Sequence, residues 1–304
     1  MAEIPNFSLV RASSQRDYSA MNRHFSDWLQ QDDPDNWTVG IHDFPLYSII
    51  DPNGLFMGVL NGEIVVIICA VNYNSDYSFI GAFWANPKYR GKGMGTHLWN
   101  AGLKHCGFRT IGLYAAPGMV ARYERDGFRQ CGQSGLCEIR TDNILANRRS
   151  ISENIVDYNN TGHIPFEDVA QFCRKYSPAD RRDFLKAWIA QAGCMTLLYV
   201  KNHIIKGLGV LRRGCESGRY LLGPLYAGSK DIAVEIMADF VLRISHPSVI
   251  YFGVLKDNPD VEQFVKDAKG RFHEEVATVM YRGQNIPHFD VNGVFAVTCG
   301  DIGG

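Results

Sequence analysis

Apolar and polar positions along the chain switch between a period of two and a period near 3.6, and the switches mark out the elements. A strand is expected over 7–10. Ser14 and Asp17 have the spacing of a capping box, and Tyr18, Met21, Phe25, Trp28 and Leu29 then recur on one helical face that belongs in a core. The cluster 32–36, Asp-Asp-Pro-Asp-Asn, reads as a turn, and 37–52 as an irregular stretch rich in large residues. Apolar runs over 54–60 and 63–72 flank Asn61-Gly62, a pair that supplies the positive φ angles of a type I′ turn, so a β-hairpin is expected. Asn74-Ser75-Asp76 is the next turn, and an aromatic-rich strand begins at Tyr77. A helix over 94–105 carries Met94, Leu98 and Ala101 on one face and ends at Gly107; a strand over 109–115 and a short helix over 118–126 follow.

The polar segment 140–164, with its Asn159-Asn160 pair, reads as a linker. Beyond it the pattern predicts helices over 166–175 and around Phe184, Leu185, Trp188 and Ile189, then strands over 195–200, 204–212 and 219–222. A helix over 231–243, a strand over 248–255, a helix over 261–269 and a strand over 276–281 complete the chain. This order repeats that of the first half and divides the chain into units of 1–143 and 144–304.

At 304 residues there is room for two domains of ordinary size, and 46% hydrophobic residues give each a sizeable core. A net charge of −1 supplies no global field, so neither a nucleic acid nor a membrane is expected as partner, and positive potential must be local. The longest apolar run, 64–71, is too short to cross a bilayer, and the start, MAEIPNFSLVRASS, lacks the layout of a signal peptide. The eight cysteines are scattered with no C-x-x-C pair, which predicts reduced thiols and a cytoplasmic protein. The nine histidines show no ligand spacing, and no metal is expected.

The chemistry concentrates at 85–95, where the strand passes through Asn86-Pro87 into Arg90-Gly91-Lys92-Gly93-Met94-Gly95 and a helix start. Glycines let backbone approach a ligand, and the first N–H groups of a helix have no intrahelical partner and carry its positive dipole end. Such a turn binds anions, and Arg90 and Lys92 suit it to a pyrophosphate. A Walker-type loop needs Ser or Thr directly after the Gly-Lys pair, but Gly93 follows Lys92. A dinucleotide fold needs G-x-G-x-x-G and an acidic residue about 20 positions on; this loop is G-x-G-x-G, and no Asp or Glu occurs between Gly95 and Glu124.

The segment 85–95 resembles the acyl-CoA pyrophosphate loop of the GNAT acyltransferases, V-x-P-x-x-R-G-x-G-x-G leading out of a strand, with Ala85 for Val as its one departure. The run 113–128 is similar to the family's strand, helix and Y-x-x-x-G-F ending, with Tyr123, Gly127 and Phe128 in register. The resemblance implies an α/β fold of the α+β kind: two GNAT-like domains in tandem, each a mixed central sheet flanked by helices. It implies acetyl-CoA, or another acyl-CoA, as co-substrate, with the pyrophosphate at Arg90, Gly91, Lys92, Gly93, Met94, Gly95 and Thr96. In this fold two parallel strands splay apart and the pantetheine arm lies between them, here against Phe83, Trp84 and Ala85. Tyr123 matches the family's tyrosine, which sits near the thioester sulfur and can protonate the leaving thiolate.

The base is less direct. A free amine near pKa 10 is almost wholly protonated at pH 7, so a base or water chain is needed. Many relatives use a Glu on the strand before the loop, but 78–89 contains no Asp or Glu. Asp76 and Tyr77 are the nearest candidates, with Asp43 and Asp51 behind them on the substrate side; Ala116 replaces an Asn that faces the cofactor in many relatives. In the second unit the corresponding loop, 223–231, has after Gly223 one glycine, Gly228, where three are wanted, an Asp231 that would repel phosphate, and no tyrosine partner before Gly270. That unit is expected to be a degenerate copy that shapes the acceptor side, where Arg212 or Arg213 meets a substrate carboxylate, or that forms the interface of a homodimer. The sequence thus points to an acyl-CoA-dependent N-acyltransferase that moves an acetyl group to a primary amine of a small molecule or peptide by direct attack in a ternary complex. The alternative is a catalytically weak or inactive acyl-CoA-binding or sensing protein, against which Tyr123 argues.

Overall fold

The capping box forms as its spacing requires: Ser14 Oγ accepts from the Asp17 N–H at 3.2 Å, and Asp17 Oδ2 accepts from the N–H groups of Ser13 and Ser14. The computed structural model describes residues 4–32, 38–143, 152–161 and 163–303. The first half runs β1 (Phe7–Arg11), α1 (Gln15–Asp32), α2 (Asp43–Ile50), β2 (Leu55–Leu60), β3 (Glu63–Asn72), β4 (Tyr77–Ala85), α3 (Met94–Cys106), β5 (Thr110–Ala115), α4 (Val120–Arg125) and β6 (Arg129–Arg140). The second runs β7 (Ile155–Asp157), α5 (Tyr158–Thr161), α6 (Phe166–Arg174), α7 (Arg182–Ala190), β8 (Met195–Lys201), β9 (Ile204–Arg213), β10 (Arg219–Ala227), α8 (Lys230–Arg243), β11 (Val249–Leu255), α9 (Val261–Asp267), β12 (Arg271–Arg282) and β13 (Val294–Ala296).

One mixed sheet runs through both halves in the order β1-β2-β3-β4-β5-β12-β6-β11-β10-β9-β8-β7, with β13 attached to β10. The halves exchange strands at its centre. β12 pairs with β5 from Thr278↔Ala115 to Arg282↔Ile111, and β6 pairs with β11 from Val249↔Arg140 to Leu255↔Ser134. Each half therefore completes the other's sheet, and a core that includes Phe25, Phe44, Tyr47, Phe184, Trp188 and Val297 is shared between them. A second core packs α3 on the other face of β2 to β5, and a third packs α8 and α9 on the second half.

The β2–β3 hairpin turns at Asn61 (φ 51°) and Gly62 (φ 85°), as expected. The segment 37–52, read as irregular, contains α2 among its described residues, eight residues long with a proline inside it. The segment 140–164 contains β7, three residues that add an edge strand beside β8. β6 gives no strand signal in the sequence because its first five positions are mostly exposed and lack alternation. The last strand is longer than 276–281 because its N-terminal part pairs with Glu138 and Cys137. The turn expected at 33–36 and residues 144–151 of the expected linker lie outside the described residues.

Candidate active site

β4 and β5 pair in parallel only at Tyr77↔Thr110, Ser78↔Ile111 and Phe79↔Gly112. Beyond Phe79 the two strands part. At the same point β4 bulges: Gly81 faces Cys69 and Trp84 faces Ile67, so the residues between outnumber their partner, and Ala82 takes a φ of 45°. The bulge changes the phase of the strand, sending Gly81 and Ala82 toward α2 and the C-terminal tail, and Phe83 toward α3.

The loop at the C-terminal end of β4 leads directly onto a helix start. Asn86 Oδ1 accepts from the Lys88 N–H at 3.0 Å, closing a 3-10 turn over Pro87–Tyr89. Gly91 (φ 76°) and Gly93 (φ 82°) adopt left-handed backbone, and a Cβ on either would meet nothing within 4 Å, so the conformation alone asks for glycine and the space above them is open. Gly93 caps α3 without a side chain, and no acidic residue stands in the first turn. Those are the features of an anion-binding helix start. Lys92 lies exposed over the Tyr89 ring, and Thr96 donates its N–H to the Gly93 carbonyl at 3.0 Å. The Met94 side chain is buried in the α3 core, which leaves only its backbone for a ligand. Arg90 is held on the protein: its guanidinium pairs with Asp32, its Nε donates to the Ala85 carbonyl, and it stacks on Trp84, whose Nε1 also donates to Asp32 at 3.1 Å.

Tyr123 stands on the α3 side of the opening, 7% exposed, its ring 4.8 Å from Trp99, which in turn stacks on Phe83. Its place is fixed by the Y-x-x-x-G-F turn: Gly127 takes a φ of 87°, and the Phe128 N–H donates to the Tyr123 carbonyl at 3.1 Å. Burial raises the pKa of its phenol, which is thus a protonated donor at neutral pH.

The expected acidic residues separate. Asp76 lies on an exposed turn before the paired end of β4, with the Tyr77–Phe79 ladder between it and the opening, and the structure does not bring it to Tyr123. Tyr77 is buried and stacked on Tyr73. Asp51 ties α2 to α3: it contacts His105 Nε2 at 2.7 Å and accepts from the N–H groups of Asn53 and Asn72. Burial pushes its carboxyl up, but those hydrogen bonds outweigh burial and hold it below its usual value. Asp43 and Arg212, expected to meet substrate, meet each other instead as an ion pair 2% exposed on both sides, with the guanidinium 4.0 Å from the Trp188 ring centre.

That pair opens onto residues the sequence did not single out. Tyr47 Oη lies 2.9 Å from Cys299 Sγ and 3.3 Å from Asp301 Oδ2, and its ring stacks on Trp188. Ligand atoms of Asp43, Cys299 and Asp301 fall within 4.8 Å of one another, although the Arg212 guanidinium already neutralises Asp43. The tail that carries Cys299 and Asp301 runs against β4: a Cβ on Gly81 would be 2.6 Å from the Asp301 carbonyl carbon, and Tyr73 Oη donates to the Ile302 carbonyl at 2.6 Å. Burial and the Asp43 carboxylate push the Asp301 pKa up to about 6, against hydrogen bonds from Tyr47, Cys299 and the Ala82 N–H. Burial also raises the Cys299 thiol well above its ordinary value, so it is not a thiolate at neutral pH.

The second half has the same opening and fills it. β10 and β11 pair in parallel only from Arg219↔Val249 to Leu221↔Tyr251, and β13 then enters, pairing Leu225↔Ala296 and Tyr226↔Val294 while the Val297 N–H donates to the Gly253 carbonyl at 2.9 Å. At the start of α8, Ser229 Oγ caps the Ile232 N–H and Asp231 occupies the first turn.

Family models agree with this two-part organisation. Residues 19–128 match the model of the acetyltransferase (GNAT) family, and residues 169–296 match that of an acetyltransferase (GNAT) domain. The chain is 25% identical over 273 residues to holothin acyltransferase of Pseudoalteromonas sp. (strain SANK 73390), covering 88% of each. Among solved structures, a Pyrococcus horikoshii protein described as a candidate acetyltransferase superposes with a TM-score of 0.77 at 20% identity, over 100% of this chain and 98% of that one. A tandem GNAT protein from the clavulanic acid biosynthesis pathway gives a TM-score of 0.64 at 11% identity, over 92% and 99%. No helix among the described residues is long and apolar enough to cross a membrane.

Proposed function

The chain belongs to the GNAT family, as two GNAT domains in tandem, and on that premise we propose an acyl-CoA-dependent N-acyltransferase that moves an acetyl group from acetyl-CoA to a primary amine. The observation that carries this reading is the parting of β4 from β5 next to an open glycine turn at the start of α3. The unpaired edge of β4 at Phe83, Trp84 and Ala85 offers backbone to an extended pantetheine arm, and the loop from Arg90 to Thr96 offers amides and Lys92 to its pyrophosphate. The relative that matches along 88% of both chains is itself named an acyltransferase.

The amine of a small molecule or peptide attacks the thioester directly in a ternary complex, and Tyr123 protonates the departing thiolate. The buried Cys299 thiol is poorly suited to an acyl-enzyme route, because only a thiolate is an effective nucleophile. In this reading the first half carries the reaction. The second half has lost its own acyl-CoA slot to β13 and lends α7, β9 and the C-terminal tail to the acceptor side.

Calorimetric titration with acetyl-CoA tests the reading, set beside an Arg90→Ala/Gly93→Asp double variant. Saturable binding by the parent that is lost in the variant is the expected result. A parent that binds no acetyl-CoA refutes it, and a parent that binds but releases no thiol with any amine favours the sensing alternative.

A further inference from the structure

We infer that Asp301, delivered by the C-terminal tail to the β4 bulge, is the general base that takes the proton from the attacking amine. The inference deepens the acyltransferase reading and rests on it.

Three features of the fold lead to Asp301. The strand between Ser78 and Tyr89 has no carboxylate of its own, so a carboxylate base would have to be supplied by another part of the chain. Among the described residues, Asp301 is a carboxylate that reaches this point: its backbone packs on Gly81, and its side chain takes a hydrogen bond from the Ala82 N–H, one residue before the stretch proposed to hold the pantetheine arm. As a residue Asp301 is intermediate in exposure, with its carboxyl enclosed enough for burial to raise its pKa, whereas Asp43 behind it is buried and neutralised by Arg212.

The second half explains how a residue at the end of the chain is held so firmly. β13 is clamped between β10 and β11, and the tail leaving it crosses Gly223, where a Cβ would be 3.0 Å from the Thr298 carbonyl carbon. The tail then turns through the Cys299↔Gly303 bridge, and Gly303 packs on the Phe79 ring. Thus the strand that closes one slot anchors the carboxylate beside the other.

The groups facing Asp301 suit a base. Asp43 and Tyr47 face it from α2, Cys69 from β3, Cys299 from its own tail, and the Ala82 N–H from β4, with Arg212 of β9 behind Asp43. Tyr47, whose own pKa burial raises, stays protonated and orients the carboxylate as a donor. With a pKa of about 6, Asp301 is ionised at neutral pH and still basic enough to accept a proton. As the nitrogen lone pair adds to the thioester carbonyl carbon, the N–H becomes strongly acidic and its proton passes to Asp301 Oδ. The C–S bond breaks with its electron pair on sulfur, Tyr123 protonates that thiolate, and both side chains exchange protons with water to reset.

The test is Asp301→Asn beside Asp301→Glu and the parent, read by thiol release from acetyl-CoA with an aliphatic amine, an aromatic amine, a polyamine and a lysine peptide. Asp301→Asn is expected to lower kcat at least ~100-fold, within the range a positioned base contributes, and to lose the acid limb of the rate profile near pH 6. Asp301→Glu is expected to regain part of the rate and a shifted limb, with the acetyl-CoA Kd of all three proteins within about twofold. Retention of more than a tenth of the parental kcat by Asp301→Asn, or an unchanged acid limb, overturns the inference and leaves the acyltransferase reading standing. A parent that binds acetyl-CoA but turns over none of the four amines also overturns it. A parent that binds no acetyl-CoA overturns the acyltransferase reading and the base with it.

Discussion

Gly81 and Asp301 are packed backbone to backbone, so that a side chain of any size on Gly81 would drive the C-terminal tail away from β4. Backbone atoms cannot swing aside as the end of a flexible side chain does, and overpacking of this kind costs about 1–3 kcal/mol. Gly81→Ala is therefore expected to lower Tm by several degrees and kcat by at least tenfold. The glycine loop and Tyr123 are untouched, so acetyl-CoA affinity is expected to change little. Equal losses in kcat and acetyl-CoA affinity would place the tail's contribution in the cofactor slot instead.

The Asp43–Arg212 pair joins α2 of one half to β9 of the other with both charges out of water. Removing one partner strands the other charge, at a cost of about 3–5 kcal/mol, whereas removing both leaves an apolar site. Asp43→Leu and Arg212→Met are each expected to destabilise strongly in urea denaturation. The double variant is expected to recover at least half of that loss. Additive losses would mean that the pair's contacts with Gly40 and Trp188 matter more than charge.

The same geometry sets a pH dependence of stability. Asp301 has a folded pKa raised from 3.8 to about 6, so folding favours its protonated form. Its contribution to stability is fully present below pH ~4 and is lost as pH rises through about 6. Asp301→Asn removes that dependence. Melting temperatures measured from pH 4 to pH 8 should therefore fall less steeply for the variant, which should be the more stable protein at pH 8. Parallel curves for parent and variant would contradict the raised pKa.

The same cluster also bears on cations. Asp43, Cys299 and Asp301 approach closely enough to resemble a ligand set, but Arg212 already supplies a full positive charge at Asp43, and Cys299 holds its proton. A divalent ion would have to displace that guanidinium or share its carboxylate, which is unfavourable in a buried site. Activity is thus expected to survive dialysis against EDTA unchanged. A loss restored by zinc or magnesium would assign the cluster to a metal.

The parts of the site that were legible in the sequence are those whose geometry is local. Gly91 and Gly93 are specified by left-handed backbone, and the Tyr123–Phe128 turn by a hydrogen bond within five residues. Asn61-Gly62 likewise fixes its hairpin without help from the rest of the chain. Asp301 was not legible because Tyr47, its donor, is 254 positions away and nothing in the periodicity of either segment records the meeting. Asp43 and Arg212 were readable as charged residues on the acceptor side but not as partners, for the same reason. The exchange of β6 and β12 was hidden too, since hydrophobic alternation says which face of a strand is buried and not which strand lies beside it.

Phe295 lies at the middle of β13, fully buried and edge-on to Phe264 at 5.2 Å. Truncating a phenylalanine so placed leaves a cavity and costs about 3–5 kcal/mol. Because β13 fills the second slot, the parent is expected to bind one acetyl-CoA per chain, all of it lost with Gly93→Asp. Because β13 also anchors the tail, Phe295→Ala is expected to lower kcat more than it weakens acetyl-CoA, although Phe295 packs in the second half's core. Calorimetry and steady-state rates on that one variant separate the two roles. A second equivalent of acetyl-CoA bound once β13 is loosened would show that the slot is blocked by this strand alone. Continued binding of one equivalent would mean that Ser229 and Asp231 at the start of α8 have removed the phosphate site as well.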